Sequence, residues 1–235
     1  MSSEQLEITR DGGVARATLR RGDRNLLDTS LTRELADAVL RLEADESVTA
    51  LVLTGAGEAF CGGADGPNIR ETGTARVFAE AAVDLFAALA ETRLPVIAAA
   101  NGDALAGGFG LACAADIVIA AEAASFGTIE AAIGTWPMIA QVPASRRVPP
   151  KAALRNALTG VPFSSAEALA LGIVDEVLPT AGAVLARAHE IAREVGRGNR
   201  AVSLGRPTLV GLLSGADYRA ELERGAEGFI KLFSS

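Results

Sequence analysis

Two glycine-rich segments and one carboxylate are the residues whose types and spacing could do chemistry. The first segment reads Phe60-Cys61-Gly62-Gly63-Ala64-Asp65 and the second Asn101-Gly102-Asp103-Ala104-Leu105-Ala106-Gly107-Gly108-Phe109-Gly110. Glycine lets backbone approach a ligand closely and adopt positive φ, so its N–H groups can aim at one point. Two such loops on neighbouring strands could supply two converging donors, the arrangement that stabilises an oxyanion. On spacing alone they could equally be tight turns. Neither is a Walker loop, because no Gly-Lys-Ser/Thr follows, and neither has the setting of a dinucleotide fingerprint. The carboxylate is Glu130, flanked by Ile129, Ala131, Ala132 and Ile133. A carboxyl in such apolar company is expected to have a raised pKa, which suits a proton shuttle near neutral pH.

Other chemistries are short of residues. The only histidine, His189, lies in 183–195, AVLARAHEIAREV, which reads as an amphipathic helix far from either glycine loop. Serine or cysteine hydrolase chemistry of the usual kind therefore lacks its base. Cys61 and Cys113 are too few for a zinc cluster or a disulfide scaffold, so no metal site is expected and both thiols read as small buried residues. With 22 Lys+Arg against 29 Asp+Glu, the net charge is -7 and no basic run exists, which argues against nucleic acid and anionic membrane as partners. The longest uncharged run, 131–145, contains Pro137 and Pro143. It is shorter than the roughly 20 residues a membrane-spanning helix needs. The N-terminus has no apolar stretch of the signal-peptide kind, and the expected compartment is the cytoplasm.

The elements that must position these groups follow from periodicity. Apolar runs at 6–8 and 14–19 around Asp11-Gly12-Gly13 predict a hairpin. Thr29 or Ser30 can cap a helix to Asp45, with Leu31, Leu35, Ala38, Val39 and Leu42 at helical spacing. Runs 50–54, 95–100 and 116–120 read as buried strands, and the two glycine segments follow the first two of them. An Ala-rich helix is predicted over 74–91. This rhythm argues an α/β fold to about residue 145. After Pro149-Pro150 come helical patterns at 151–158 and 165–171, a short strand at 174–177, and helices from about 181 onward. At 235 residues and 49% hydrophobic, the chain can bury the core of one large domain.

Four stretches then carry a resemblance: 59–71, AFCGGADGPNIRE; 95–110, PVIAAANGDALAGGFG; 116–134, DIVIAAEAASFGTIEAAIG; and 158–179, LTGVPFSSAEALALGIVDEVLP. In this order they resemble the crotonase superfamily, the enoyl-CoA hydratase/isomerase family. The resemblance implies a spiral α/β core of ββα units over 1–180 and a C-terminal helical oligomerisation region over 181–235. It implies a homotrimer or a dimer of trimers and an acyl-CoA thioester substrate. Coenzyme A is then part of the substrate, with no separate cofactor. By position, the N–H groups of Ala64 and Gly107 would bind the thioester oxygen. Gly62, Asp65 and Ile69 would face adenine and pantetheine. Asn25 and Leu26 would flank the coenzyme A site, with Gly108 and the bulky Trp136 also on the substrate side.

Departures from the family pattern set the expected chemistry. Family hydratases carry two glutamates; the first position is Gly110 here and only the second, Glu130, is present. One carboxylate suffices to move a double bond, so the resemblance favours Δ3/Δ2-enoyl-CoA isomerisation. The alternatives are a hydratase in which water or Asp103 replaces the missing acid, and a non-catalytic acyl-CoA-binding subunit. Trp136 and Met138 put bulk where the family has small residues. The helix whose lysine helps hold the coenzyme A phosphates is expected to be missing around Glu227-Gly228-Phe229. The stripe Leu204, Leu209, Leu212 and Leu213 needs a partner surface.

Overall fold

The computed structural model describes residues 4–213 and 215. It opens with the hairpin β1 (Leu6–Asp11) and β2 (Val14–Leu19), followed by α1 (Thr29–Ala44). The cap of α1 is Asp28 rather than Thr29 or Ser30: its Oδ1 accepts the Leu31 N–H at 2.8 Å. An ionised cap also meets the positive end of the helix.

Three turns of chain then repeat one pattern. β3 (Ala50–Gly55) and β4 (Ala59–Cys61) lead to α2 (Gly66–Glu71) and α3 (Ala75–Glu91). β5 (Val96–Ala100) and β6 (Asp103–Leu105) lead to α4 (Gly107–Ala114). β7 (Ile117–Ala121) and β8 (Ser125–Gly127) lead to a 3₁₀ turn (Glu130–Ile133), α5 (Gln141–Arg147) and α6 (Pro150–Thr159). The first strand of each pair enters one sheet and the second enters another. After β9 (Phe163–Ser164), α7 (Ser165–Ala170) and β10 (Glu176–Leu178), the six-stranded sheet runs β1-β2-β3-β5-β7-β10 and the four-stranded sheet β4-β6-β8-β9. The chain thus advances one strand per turn in both sheets, which is a spiral of ββα units. β4, β6, β8 and β9 are two or three residues long, too short to show a period, so the sequence reads them as loop.

Helix α8 (Ala181–Gly196) lies across the six-stranded sheet and buries Val184, Ala188, Ile191 and Ala192. The helical region expected from 181 therefore begins with a helix of the core itself. Helix α9 (Asn199–Leu213) is tied down by Arg206, whose Nε meets Asp116 Oδ2 at 2.7 Å. The same guanidinium donates to the carbonyls of Leu89, Ala90 and Thr92, which the end of α3 leaves free. Leu209, Leu212 and Leu213 are exposed. The segment expected at 227–233 lies outside the described residues. Among the described residues, no helix is long and apolar enough to cross a membrane.

Candidate active site

Strands β4, β6 and β8 are parallel neighbours, so their C-terminal ends lie side by side. Those ends carry Gly62-Gly63-Ala64, Ala106-Gly107 and Thr128-Ile129-Glu130 respectively. The ends of parallel strands are where open α/β sheets take ligands.

The first loop is held by the segment before α1. The Gly62 N–H donates to Arg24 O, the Leu27 N–H to Gly63 O and the Asp65 N–H to Leu27 O, each at 2.8 Å. Because the residues on either side of Ala64 take these bonds, the Ala64 N–H points away from Leu27. It has no partner among the described residues, and Ala64 is exposed. Gly63 has φ +90°, and a Cβ there would lie 2.5 Å from Ala106 Cβ, so only glycine fits between the loops.

The second loop turns sharply at Ala106, which has φ +52°. Such a backbone costs an alanine roughly 1–3 kcal/mol. It is held by the Ala106 N–H donating to Gly127 O at 2.9 Å and by Ala106 O accepting the Gly110 N–H at 3.1 Å. Gly107 comes next and opens α4, so its N–H has no acceptor within the helix and shares the positive end of the helix. A Cβ on Gly107 would sit 3.4 Å from Gly63 Cα and 3.5 Å from Ala64 N. The two loops are in contact, each presenting an N–H without a partner.

Glu130 follows β8, and a residue the sequence did not single out fixes its approach. Asn156 on α6 is buried; its Oδ1 accepts from the Thr128 N–H at 2.9 Å and from Thr128 Oγ1 at 2.8 Å. Its Nδ2 donates to Thr128 O at 3.0 Å and Val161 O at 2.9 Å. Glu130 Oε2 accepts the Ile129 N–H at 2.8 Å. Burial pushes the Glu130 carboxyl above the usual carboxylate range, and the N–H groups of Glu130 and Ile129 only partly oppose it.

Several expected substrate contacts prove to be supports. Asn25 is fully buried, with Nδ2 donating to Ala56 O and Ala59 O at 2.9 and 2.8 Å and Oδ1 accepting the Arg21 N–H at 3.1 Å. Its amide is committed to holding the chain ahead of the first loop. Asp65 caps α2 by accepting the Asn68 N–H at 3.1 Å and pairs with Arg21 at 2.8 Å. Burial would raise its carboxyl, but Arg21 and the Asn68 N–H outweigh burial and hold it below the ordinary range. Arg21 also reaches Leu26 O at 3.0 Å and Asp28 at 3.1 Å, so one guanidinium ties both caps to the first loop. Nothing in the sequence marks Arg21, because its partners come together only in three dimensions. A Cβ on Gly108 would lie 2.0 Å from Cys61 O, so only glycine lets α4 pack this closely on β4.

Leu26 and Arg24 lie over Gly62, where a Cβ would be 3.0 Å from Leu26 Cδ2 and 3.2 Å from Arg24 Nε. Arg24 is therefore an exposed cation beside the first loop that sequence reasoning missed. Ile69 is half-buried on α2. Trp136 is 38% exposed, and its Nε1 donates to Gln141 Oε1 at 2.9 Å. Asp103 accepts the Ser125 N–H at 2.8 Å at the start of β6, the opposite end of that strand from Gly107. It is not a replacement acid. At Gly110, the first of the two family acid positions, a Cβ would lie 2.9 Å from Phe86 Cζ and 3.2 Å from Ala140 Cα. Further along α4, Cys113 and Ala114 line an apolar cavity of about 350 Å³ shared with Phe86, Ile139, Val142 and Val210.

The sequence pattern of the enoyl-CoA hydratase/isomerase family matches residues 9–204. A Thermus thermophilus protein provisionally named an enoyl-CoA hydratase is 38% identical over 179 residues, 74% of this chain and 70% of its own. The carnitinyl-CoA dehydratase of Proteus mirabilis is 35% identical over 200 residues, 82% of this chain and 75% of its own. The solved structure of DspI from Pseudomonas aeruginosa superposes with a TM-score of 0.93 at 28% identity, covering 100% of this chain and 91% of that one. With its paired glycine loops, Glu130 and spiral fold, the chain belongs to the enoyl-CoA hydratase/isomerase family of enzymes, within the crotonase superfamily.

Proposed function

We propose that the protein moves the double bond of an enoyl-CoA between the Δ3 and Δ2 positions, with Glu130 as its only acid/base. The observation that supports this reading is the half-buried Glu130 carboxyl just after β8, together with a glycine at the other family acid position, Gly110, where a Cβ would crowd Phe86 and Ala140. The thioester oxygen accepts from the N–H groups of Ala64 and Gly107. The Glu130 carboxylate takes a proton from C2 of a 3-enoyl thioester. The C–H electron pair becomes the C1=C2 π bond of a dienolate as the carbonyl π pair moves onto the thioester oxygen, where the negative charge rests. One such donor is worth roughly 3 kcal/mol in the transition state. Protonated Glu130 then returns the proton to C4 as the C2–C3 double bond forms. The proton balance closes without water and without a separate cofactor. Coenzyme A is part of the substrate, and Arg24 supplies a cation near its path.

Hydration is the competing reading, favoured by the names of the relatives. It needs a water oriented by a second acid, and loss of one acid/base costs about 10²–10⁴ in rate. The test is to incubate the protein with a 2-enoyl-CoA and, separately, a 3-enoyl-CoA in deuterated water. The isomerase reading expects interconversion of the two enoyl-CoA isomers and deuterium in the recovered enoyl chain. Accumulation of 3-hydroxyacyl-CoA without isomerisation would replace it with hydration. The same reading includes a homotrimer or dimer of trimers, supported by the exposed Leu209, Leu212 and Leu213. A cytoplasmic location is supported by two free, buried cysteines.

A further inference from the structure

We infer that the groove between the β1 edge of the six-stranded sheet and α8 is a second ligand site, holding the oxyanion of a small molecule, a phosphate or a carboxylate, between Arg16 and His189. α8 packs over β2, β3, β5, β7 and β10 and reaches β1 through the Arg193–Asp11 ion pair. The hairpin register sets Thr9 opposite Arg16 and Asp11 opposite Val14, so Thr9, Asp11 and Arg16 share one face. His189 faces them from α8, with Leu185 and Ala186 one turn earlier, and the groove between has a volume of about 600 Å³.

The charges around this groove are all matched except one. Asp11 pairs with Arg193, Glu190 with Arg187 at 3.3 Å, and Arg10 with Asp45 at 2.8 Å. Arg16 has no carboxylate or carbonyl partner among the described residues, and its inner Nε is enclosed without an acceptor. His189 Nδ1 is likewise enclosed and unpaired. An enclosed N–H with no acceptor is costly, so the neutral ring keeps its proton on Nε2 and donates from there. An oxyanion in the groove would accept from the outer N–H groups of Arg16 and from His189 Nε2–H, matching the one cation left over.

A proton is linked to this binding. In the free protein His189 is held below the ordinary histidine value by burial first and then by Arg16 and Arg193, with Asp11 partly opposing. The charged groups facing it are Arg10 and Asp11 from β1, Arg16 from β2, and Glu190 and Arg193 from α8. An anion seated against Arg16 offsets that repulsion, so His189 gains a proton more readily when the site is filled. The groove shares no lining residue with the paired glycine loops.

His189 is the only histidine, so its imidazole proton resonance reports on this groove alone. The full chain is titrated with sodium phosphate and, separately, with sodium acetate, against sodium chloride at matched ionic strength. A saturable shift and a raised His189 titration midpoint are expected with one of the two anions. Saturation by phosphate alone identifies a phosphate-bearing ligand; saturation by acetate alone identifies a carboxylate. Arg16→Gln should weaken the response at least about tenfold while turnover of 3-enoyl-CoA is unchanged. Should that variant fail to fold, Thr9→Asp sets a carboxylate opposite Arg16 and should abolish the response. A resonance that moves no further than in chloride overturns the site, as does an unaltered titration in either folded variant. Neither result bears on the double-bond chemistry, which is read by turnover.

Discussion

Glu130 is a carboxyl kept partly out of water just after a strand, and that placement costs stability once the group is ionised. Its folded-state pKa is raised, so the folded protein binds the proton more tightly than the unfolded chain. The stability of the native state is therefore greatest below the unfolded value near 4.5 and declines as pH rises through the folded one. Glu130→Gln should raise the thermal midpoint at pH 7 to 8 and leave it nearly unchanged below pH 4, as scanning calorimetry would record. The same substitution should lower turnover of a 3-enoyl-CoA by at least roughly 10², with little change in thioester binding. Unchanged turnover would remove Glu130 from its role. Gly110 also answers at this scale. Its φ is not in the left-handed region, yet its Cβ position is crowded by Phe86 and Ala140. Gly110→Glu alone should cost about 1–3 kcal/mol by overpacking and add no hydration. Paired with Phe86→Ala, it should recover that stability in a denaturant titration and raise hydration of a 2-enoyl-CoA above wild type.

At the scale of elements, the site depends on very short strands whose ends are fixed from outside. Two amides, Asn25 and Asn101, both donate to Ala59 O, at 2.8 and 3.2 Å, and so set where β4 begins. On the other side, Asn156 of α6 clamps Thr128, two residues before Glu130. Asn156→Ala should leave the Thr128 N–H and the carbonyls of Thr128 and Val161 without partners. Val161 is exposed and its carbonyl can turn to water, but each unmet group on buried Thr128 costs about 1–3 kcal/mol, so a loss of a few kcal/mol in unfolding free energy is expected. If the clamp also aims Glu130, kcat should fall more than KM changes; equal activity in the folded fraction would make Asn156 purely structural.

For the whole molecule, Arg206 is the joint that holds α9 against the end of α3. Arg206 is buried but Asp116 is only half-buried and also accepts the Val96 N–H at 2.8 Å, so removing the arginine costs less than the roughly 3–5 kcal/mol of a fully buried pair. Arg206→Ala should therefore free α9 from Asp116 and expose its backbone to hydrogen exchange, while the β4, β6 and β8 amides stay protected. α9 also carries the exposed Leu209, Leu212 and Leu213 and lends Val210 and Leu213 to the apolar cavity beside α4. An exposed apolar stripe of this kind is what the proposed assembly would cover. Light scattering at micromolar concentration should give three or six times the 24.0 kDa chain mass, and Leu209→Asp with Leu213→Asp should lower it. A wild-type mass equal to one chain would count against the assembly.

The sequence by itself determined the long elements, because their apolar residues recur with the period of a helix or run unbroken through a buried strand. Strand β2 of the hairpin, α1, α3, β3, β5 and α8 all stand within a residue or two of where periodicity puts them, while β1 runs three residues past its predicted end, to Asp11. It also singled out two glycine loops and one apolar-flanked carboxylate as the candidates for chemistry. Local composition could not reveal β4, β6, β8 and β9, since two or three residues carry no period and their pairing energy comes from strands distant in sequence. Nor could it separate a ligand contact from a support. Asn25 and Asp65 sit in the right motifs, yet their polar atoms are committed to Ala59 O, Arg21 and a helix cap. Only the tertiary structure decided which N–H groups remain unpartnered, because that depends on every bond made around them. It likewise decided that the space at Gly110 is filled and that Arg16 stands unmatched.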